Sequence, residues 1–340
     1  MPARNEEDCL GRCLESLVSQ QGIDFAVMVV DDNSTDRTNK IASSFPGVRV
    51  IRAPEPERGI SGKCNALVAG AQNASARWLL FTDADTFHYP GSLVKAVREA
   101  EERGVDLLSY SPEQETGSLA EEALLPVVFA ELVRTYSPKR INDPGDPAVA
   151  ANGQYVLVRR AAYEELGGHC SIEANILEDV ELARLFKASQ HNIWFRYGAG
   201  LVRTRMYRNF KAMVEGWTKN LVLLFPHPRR LAVLRGCEFV AVVGLPVAGI
   251  ITAAGGRAAV GAALIGAGVL FYANFWRRIR RAHFPWRANL LSLFGLPLFV
   301  LLLARSYIHS RVRGAVQWKG REYAYSEAKS ASASSINQSR

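Results

Sequence analysis

Trp78-Leu79-Leu80-Phe81-Thr82-Asp83-Ala84-Asp85-Thr86 is an apolar run of strand character that ends directly in two carboxylates one residue apart. Two carboxylates at one strand end can share a hard divalent cation with a diphosphate, which demands oxygen ligands and charge neutralisation. An Asp-rich turn is also an ordinary turn or helix start, so its meaning depends on what surrounds it. Outward from it, strand-like and helix-like segments alternate. Ala26–Val30 is a β-branched run that empties into Asp31-Asp32-Asn33-Ser34-Thr35-Asp36, Val48–Arg52 alternates, and Val105–Tyr110 and Tyr155–Val158 follow. Helical patterns occupy Cys9–Gln20, Asp36–Ser44, Cys64–Asn73 and Ser92–Arg103. This alternation predicts an α/β, Rossmann-like, mostly parallel sheet with helices on both faces. Ligands of such sheets bind at the C-terminal strand ends, where both acidic clusters fall.

Charge divides the 340 residues in two. Residues 1–202 hold 20 basic and 29 acidic side chains, while residues 203–340 hold 21 basic and 4 acidic ones. The net +8 therefore comes from the C-terminal part alone, where Arg is interleaved with long apolar runs. That pattern points to a bilayer, and an acidic first half without a basic groove excludes nucleic acid as the partner. An apolar content of 48% excludes disorder for most of the chain, leaving only the Ser- and Ala-rich stretch after Ser326. Five scattered cysteines with no Cys-x-x-Cys pair support neither a zinc site nor a disulfide framework, and imply a reducing compartment. No secretory signal pattern opens the chain.

Cys237–Ala254 contains one charge, Glu238, and Ala258–Trp276 and Ala288–Ala304 contain none. Each is long enough to cross hydrocarbon. The chain thus divides into a cytoplasmic domain over 1–202, an amphipathic interfacial helix region over 203–235, membrane segments within 236–308, and a basic tail over 309–340. In the second region Phe210, Met213, Val214 and Trp217 recur at helical spacing, which reads as core packing or as an interfacial face. Arg277, Arg278, Arg280, Arg281 and Arg287 follow the second run, whereas Gly255-Gly256-Arg257 joins the first two. The positive-inside rule then gives a multi-pass inner-membrane protein with its N-terminal domain in the cytoplasm. One conflict stays open. Three crossings would place Arg305, Arg311, Arg313, Lys319 and Arg321 outside, so either the last run, with Gly295 and Pro297, dips in and returns, or the rule fails.

Pro2-Ala3-Arg4-Asn5-Glu6-Glu7, Val30-Asp31-Asp32-Asn33-Ser34-Thr35-Asp36, Gly62-Lys63, Asp83-Ala84-Asp85-Thr86 and Glu178-Asp179 occur in that order. With this set the chain resembles the family 2 inverting glycosyltransferases, over about residues 1–220. Asn152-Gly153-Gln154, Gly167-Gly168-His169, Arg205-Met206-Tyr207, Glu215-Gly216-Trp217-Thr218-Lys219 and Trp318-Lys319-Gly320-Arg321-Glu322-Tyr323 extend the likeness. They look like the membrane-bound branch that glycosylates carotenoid acids or is associated with hopanoid genes.

The resemblance implies a GT-A fold followed by C-terminal transmembrane helices. It implies that Pro2, Arg4 and Glu6 hold the nucleotide base, that Asp32 reads the uracil edge, and that Lys63 lies near the diphosphate. Lys63 also reads as a solvated helix-start lysine. Asp83 and Asp85 would bind Mg2+ or Mn2+, and Asp179 would be the general base. Glu178, His169 and Trp217 are carried toward the acceptor site. Of the Gln/Arg-x-x-Arg-Trp box of related membrane transferases, only Trp217 is matched here. The function implied is an inverting transferase that moves a sugar from a nucleotide-diphospho-sugar, a UDP-sugar, to a lipid-like acceptor such as a carotenoid or hopanoid. A polysaccharide synthase or polyprenyl-phosphate glycosyltransferase is the alternative enzyme, and a catalytically silent membrane scaffold the non-enzyme alternative.

Two departures from the family pattern stand out. An apolar strand normally precedes the residue matched by Pro2, which leads us to expect that the true start lies upstream or that this form is impaired. Ile60-Ser61 also replaces an aromatic-containing stretch before Gly62-Lys63.

Overall fold

Apolar, β-branched runs flanked by acidic turns build the strands, and their ends set where the acidic residues collect. The computed structural model describes residues 1–57, 60–172, 177–312, 315–318 and 321–324. In chain order the elements begin β1 (Pro2–Ala3), α1 (Leu10–Val18), β2 (Val27–Asp31), α2 (Thr38–Ser43), β3 (Val48–Arg52) and α3 (Gly62–Gln72). Next come β4 (Trp78–Phe81), β5 (Thr86–His88), α4 (Ser92–Glu102), β6 (Leu107–Ser111), β7 (Glu113–Gln114) and α5 (Leu119–Thr135). They continue with α6 (Pro138–Ile141), β8 (Val156–Arg159), α7 (Arg160–Glu165), α8 (Glu178–Ala188), β9 (Ile193–Tyr197) and β10 (Val202–Thr204). Last are α9 (Phe210–Leu224), α10 (Pro228–Ala254), α11 (Ala258–Ile279), α12 (Trp286–Val312), β11 (Ala315–Trp318) and β12 (Arg321–Ala324). Lys319, Gly320 and the chain after Ala324, including the Ser- and Ala-rich stretch, lie outside the described residues.

The residues group into two compact units. The first holds Met1–Glu115 and Tyr136–Met206, with β12. In it, β1, β2 and β3 pair in parallel, with Pro2 opposite Val30 and Asp31 opposite Arg52. Pro2 and Ala3 thus form a short first strand, and the Met1 carbonyl accepts the Val30 N–H at 2.8 Å. A second sheet has the order β4-β8-β6-β9, and a third the order β5-β10-β7.

The parallel expectation is met at β1-β2-β3, β6-β9 and β7-β10, but β8 runs antiparallel to both β4 and β6. The reason is local. The chain enters β8 at the end where β4 leaves, so Val156 pairs with Phe81. Asn152-Gly153-Gln154 therefore arrives beside the turn that carries Asp83 and Asp85. Leu79, Phe81, Leu107, Val156, Val158, Leu182 and Phe186 pack into one buried cluster behind these strand ends. Fully burying each such side chain contributes about 1.5–3 kcal/mol relative to exposure.

The second unit holds Thr116–Thr135 and Tyr207–Trp318. Residues 116–135 were expected within the first domain, yet α5 clusters with the C-terminal helices. Pro126 and a nearly unbroken apolar run mask its helical period in the sequence, and the helix is buried on most sides. Met213 and Trp217 of α9 are buried, and Trp217 is 2% exposed between Phe129 and Tyr207. The stripe expected to face a membrane thus packs inward at Trp217, leaving Phe210 exposed.

Three helices, Pro228–Ala254, Ala258–Ala282 and Trp286–Val312, are long and apolar enough to cross a membrane. The last is one continuous helix despite Pro297. Helices α10 and α11 meet through small residues. A Cβ on Gly249 would lie 2.7 Å from the Gly261 carbonyl oxygen, and one on Gly268 would collide with the Pro246 ring. Such close backbone approach is how helices associate where the hydrophobic effect is weak. Replacing Gly261 by Leu will separate the pair and cost about 1–3 kcal/mol of stability, read as a lower Tm of the detergent-solubilised protein.

Candidate active site

Lysine in the first turn of a helix faces the positive end of the backbone dipole and needs an anion to hold it there. Lys63, second residue of α3, finds two. Its Nζ lies 2.9 Å from Asp83 Oδ1 and 2.7 Å from Glu178 Oε1. Burial works against the ammonium, but Asp83, Glu178 and Asp179 together outweigh it and hold the lysine pKa well above the ordinary range. Lys63 is therefore part of the acidic cluster and not a solvated lysine.

Glu178 and Asp179 begin α8, where acidic side chains suit the helix N-terminus. Asp179 Oδ2 accepts the Gly153 N–H at 2.6 Å, and the neighbouring Val180 N–H reaches its Oδ1 at 2.9 Å. Burial first, and then the Glu178 charge, push the Asp179 carboxyl up to about 6, against the lowering pull of Lys63. A carboxyl with that value is poised for proton transfer near neutral pH. Gly153 leaves little room for a side chain. A Cβ there would lie 3.1 Å from Lys63 Nζ and 3.4 Å from both Asp179 Oδ2 and Glu178 Oε1.

Asp85 is held differently. Gln154 Nε2 lies 3.4 Å from both of its carboxylate oxygens and 3.0 Å from Thr204 Oγ1, which in turn donates to the Asp85 carbonyl at 3.2 Å. Beneath the turn, Thr82 Oγ1 donates to the Gln154 carbonyl at 2.9 Å, and Thr86 Oγ1 donates to the Asp83 carbonyl at 2.8 Å. His88 Nε2 lies 3.1 Å from each threonine oxygen, and with the hydroxyl protons given to the two carbonyls it is the donor to both. Burial pulls the His88 pKa down to about 3, so the ring is neutral with its one proton on Nε2, and Nδ1 has no partner among the described residues. His88, Thr82, Gln154 and Thr204 were not singled out in the sequence. Gln154 fell within a quoted motif, and Thr82 within the opening run.

At the ends of β1 and β2 the loops are laced together. Arg4 Nη1 donates to the Asp32 carbonyl at 2.7 Å, and lies 4.0 Å from its carboxylate. The Glu6 N–H reaches Thr38 Oγ1 at 2.7 Å, and the Thr35 N–H reaches Asn5 Oδ1 at 2.9 Å. Asn5 and Asn33 both adopt positive φ, 53° and 54°, a conformation that Asn tolerates better than most residues. Asp32 is buried. Arg4 and Asp32 are thus in contact, and the Glu6 backbone ties the same pair of loops.

Two expected residues behave otherwise. His169 is 2% exposed, its Nδ1 is 2.9 Å from the Tyr163 hydroxyl, and Phe81 packs edge-on against it. Burial lowers its pKa to about 4. It braces the turn at Gly167 and Gly168, which both adopt positive φ. Trp217 belongs to the second unit and is buried there. Among the described residues no group of three or more His, Cys, Asp or Glu side chains forms a ready-made metal cage. Asp83 and Asp85 nonetheless offer hard oxygen donors, and Asp83 already sits against a cation, the Lys63 ammonium.

Substituting His88 by Leu leaves both threonine oxygens without their donor and will cost about 1–3 kcal/mol of stability, measured by denaturant unfolding. A His88→Gln variant, which keeps an N–H donor, will lose less.

The family model for glycosyl transferase family 2 matches residues 1–167. The chain is 30% identical over 229 residues to a protein of Staphylococcus aureus (strain USA300) described as 4,4'-diaponeurosporenoate glycosyltransferase, covering 65% of this chain and 59% of that one. The protein of the same description from Staphylococcus haemolyticus (strain JCSC1435) is 30% identical over 230 residues, covering 66% and 60%. The match thus spans under two thirds of the length of these relatives. Among solved structures, a mannosyltransferase from Pyrobaculum calidifontis, in complex with GDP-Man and Mn2+, superposes with a TM-score of 0.52 at 17% identity, over 92% of this chain and 86% of that one. Over residues 1–167 the chain is thus similar to the glycosyl transferase family 2, and its fold resembles that of the solved mannosyltransferase.

Proposed function

We propose that the protein is an inverting glycosyltransferase that moves a sugar from a nucleotide-diphospho-sugar, a UDP-sugar, to a lipid-like acceptor at a membrane. The observation that carries this reading is the single cluster formed by Lys63, Asp83, Glu178 and Asp179, which joins a candidate diphosphate end to a candidate proton acceptor. The staphylococcal relatives, described by a carotenoid acid, support the lipid-like acceptor. The Mn2+ in the mannosyltransferase complex supports a divalent cation.

Asp83 and Asp85 are the residues that would hold Mg2+ or Mn2+, the remaining oxygen ligands coming from diphosphate and water. When bound, such a cation neutralises charge on the departing nucleoside diphosphate. Lys63 is placed to shift from carboxylate to diphosphate, as its flexible stem permits. Pro2, Arg4, Glu6 and Asp32 line the proposed base site, with the Asp32 carboxylate accepting from the uracil N–H edge. Asp179 takes the proton from an acceptor hydroxyl as that oxygen attacks the anomeric carbon from the face opposite the leaving group. A single displacement of this kind inverts the anomeric centre and needs no carboxylate nucleophile. Gln154 and Glu178 keep Asp85 and Lys63 in place.

Incubating purified protein with a panel of UDP-sugars, Mn2+ and apolar acceptors will yield a glycolipid product. An Asp179→Asn variant will lose about 10²–10⁴-fold in kcat while retaining UDP binding. Undiminished turnover by that variant, or by Asp85→Asn, would defeat the assignment. The proton acceptor must be ionised, so kcat/KM will fall as pH drops through about 6, the value to which Asp179 is raised. Lys63→Met removes the cation that lowers this pKa, so the acid limb of its residual activity will move to higher pH.

A further inference from the structure

We infer that the second unit enters the bilayer from one side only: α10 and α11 cross as a hairpin, and α12 stays on the side from which the chain arrived. The inference rests on the membrane reading above, but on no detail of the reaction.

A layer of ion pairs marks one end of the hairpin. Glu131 of α5, fully buried, is 3.3 Å from Arg235 Nε of α10 and pairs with Arg278 of α11. Glu238 of α10 is 2.6 Å from Arg235 and also pairs with Arg278. Beyond this layer, residues 239–254 and 258–276 carry no charge. At 1.5 Å per residue these stretches measure about 24 and 28 Å, close to the roughly 30 Å of bilayer hydrocarbon. Their apolar side chains point outward, Ile251 being 67% and Leu270 72% exposed. A surface so long, apolar and free of charge fits lipid chains. The turn Gly255-Gly256-Arg257 then delivers Arg257 to the far headgroups.

Helix α5 cannot cross with them. It carries Glu121, Glu122, Glu131 and Arg134 in 17 residues, and the chain on both sides of it, Glu115 and Tyr136, belongs to the first unit. Both its ends therefore lie on one side, and α12 is fastened along it. Arg287 Nε is 3.1 Å from Glu122 Oε2, and the Phe284 and Phe129 ring centroids are 5.8 Å apart. A Cβ on Gly295 would strike the Ala123 carbonyl.

Farther along, α12 is fastened to the end of α9. Ser306 Oγ accepts the Val222 N–H at 3.0 Å, and Phe299 meets Phe225 at 6.1 Å. From Phe284, just before it, to Ser306, the helix is thus tied to α5 and α9, which precede the hairpin. The buried face of α12 holds Asn289, Ser292 and Ser306. Its exposed face holds Trp286, Leu290, Phe294 and Leu301 together with Arg287, Arg305 and Arg311. Residues 288–304 carry no charge, so what sets this helix apart from α10 and α11 is its fastening to α5 and α9, with its arginines at the two ends. The arrangement also removes the conflict over charge, because Arg305 and Arg311 share a side with Arg277, Arg280 and Arg281.

The test uses the full chain in vesicles of known orientation from the expressing cell, with Cys9, Cys170 and Cys237 replaced by Ser and one reporter cysteine added. A membrane-impermeant maleimide will label Lys211→Cys and Val312→Cys in the same vesicle orientation, and Arg257→Cys only in the opposite one. Labelling of Val312→Cys in the orientation that exposes Arg257→Cys would overturn the inference. So would labelling of Arg257→Cys in the orientation that exposes Lys211→Cys. Should the cysteine variants fail to accumulate, antibody access to an epitope placed after Arg340 of the unaltered chain decides the side of the C-terminus by the same logic. Extraction of the protein by alkaline carbonate without detergent would sink both this inference and the membrane reading. No substrate is involved, so a wrong topology leaves the proposed transfer chemistry standing.

Discussion

The ammonium of Lys63, set between the carboxylates of Asp83 and Glu178, is the charge balance on which the candidate site depends. Four ionisable side chains from three separate segments converge there, three of them acidic. Without the lysine, two adjacent carboxylates on α8 and a third from the β4 turn would repel one another in a partly buried space. With it, Glu178 is paired and Asp179, tied to a backbone N–H, is left with the elevated pKa that burial imposes. One interaction thus holds the cluster together, while burial leaves Asp179 with a raised proton affinity.

The acidic turn is itself supported from below by neutral groups. Thr82 and Thr86 donate to two carbonyls of the surrounding turns and fix them, and His88 Nε2 lies 3.1 Å from both hydroxyl oxygens. Neutral donors suit this task. A charged support at this depth would carry a desolvation cost and would compete with a cation for Asp83 and Asp85. The antiparallel entry of β8 matters for the same reason, because it brings Gln154 to Asp85 and the Gly153 N–H to Asp179 with a single turn of chain.

In the second unit, packing and charge divide the labour. Glycines at 249, 261 and 268 let two apolar helices approach backbone to backbone. Glu131, Arg235, Glu238 and Arg278 tie those helices to α5, a segment drawn from the middle of the sequence. Buried ion pairs of this kind contribute little net stability, but breaking one leaves an uncompensated charge at a cost of about 3–5 kcal/mol. Such a layer therefore specifies which helices meet, and at what level, more than it strengthens the unit.

Much of this was legible in the sequence. Period and composition located β2, β3, β4, β6 and β8, the helices α1 to α4 and the three apolar helices, because each carries its own local pattern. The order of acidic motifs marked Asp32, Asp83, Asp85 and Asp179, since short runs of Asp at strand and helix ends are visible without knowing what they touch. What touches them was not visible. The bridge from Lys63 to Glu178, the donor role of His88 and the grip of Gln154 on Asp85 depend on side chains far apart in sequence and aimed by the packing around them. The same holds for α5, whose apolar run has no clear period, and for His169 and Trp217, whose residue types fit a binding site as well as a core. The sequence by itself determined which segments form and which residue types stand at their ends, because those follow from local propensity and periodicity. Only the tertiary structure decided which charges are paired and which polar groups are buried, because both depend on long-range contacts that remove water.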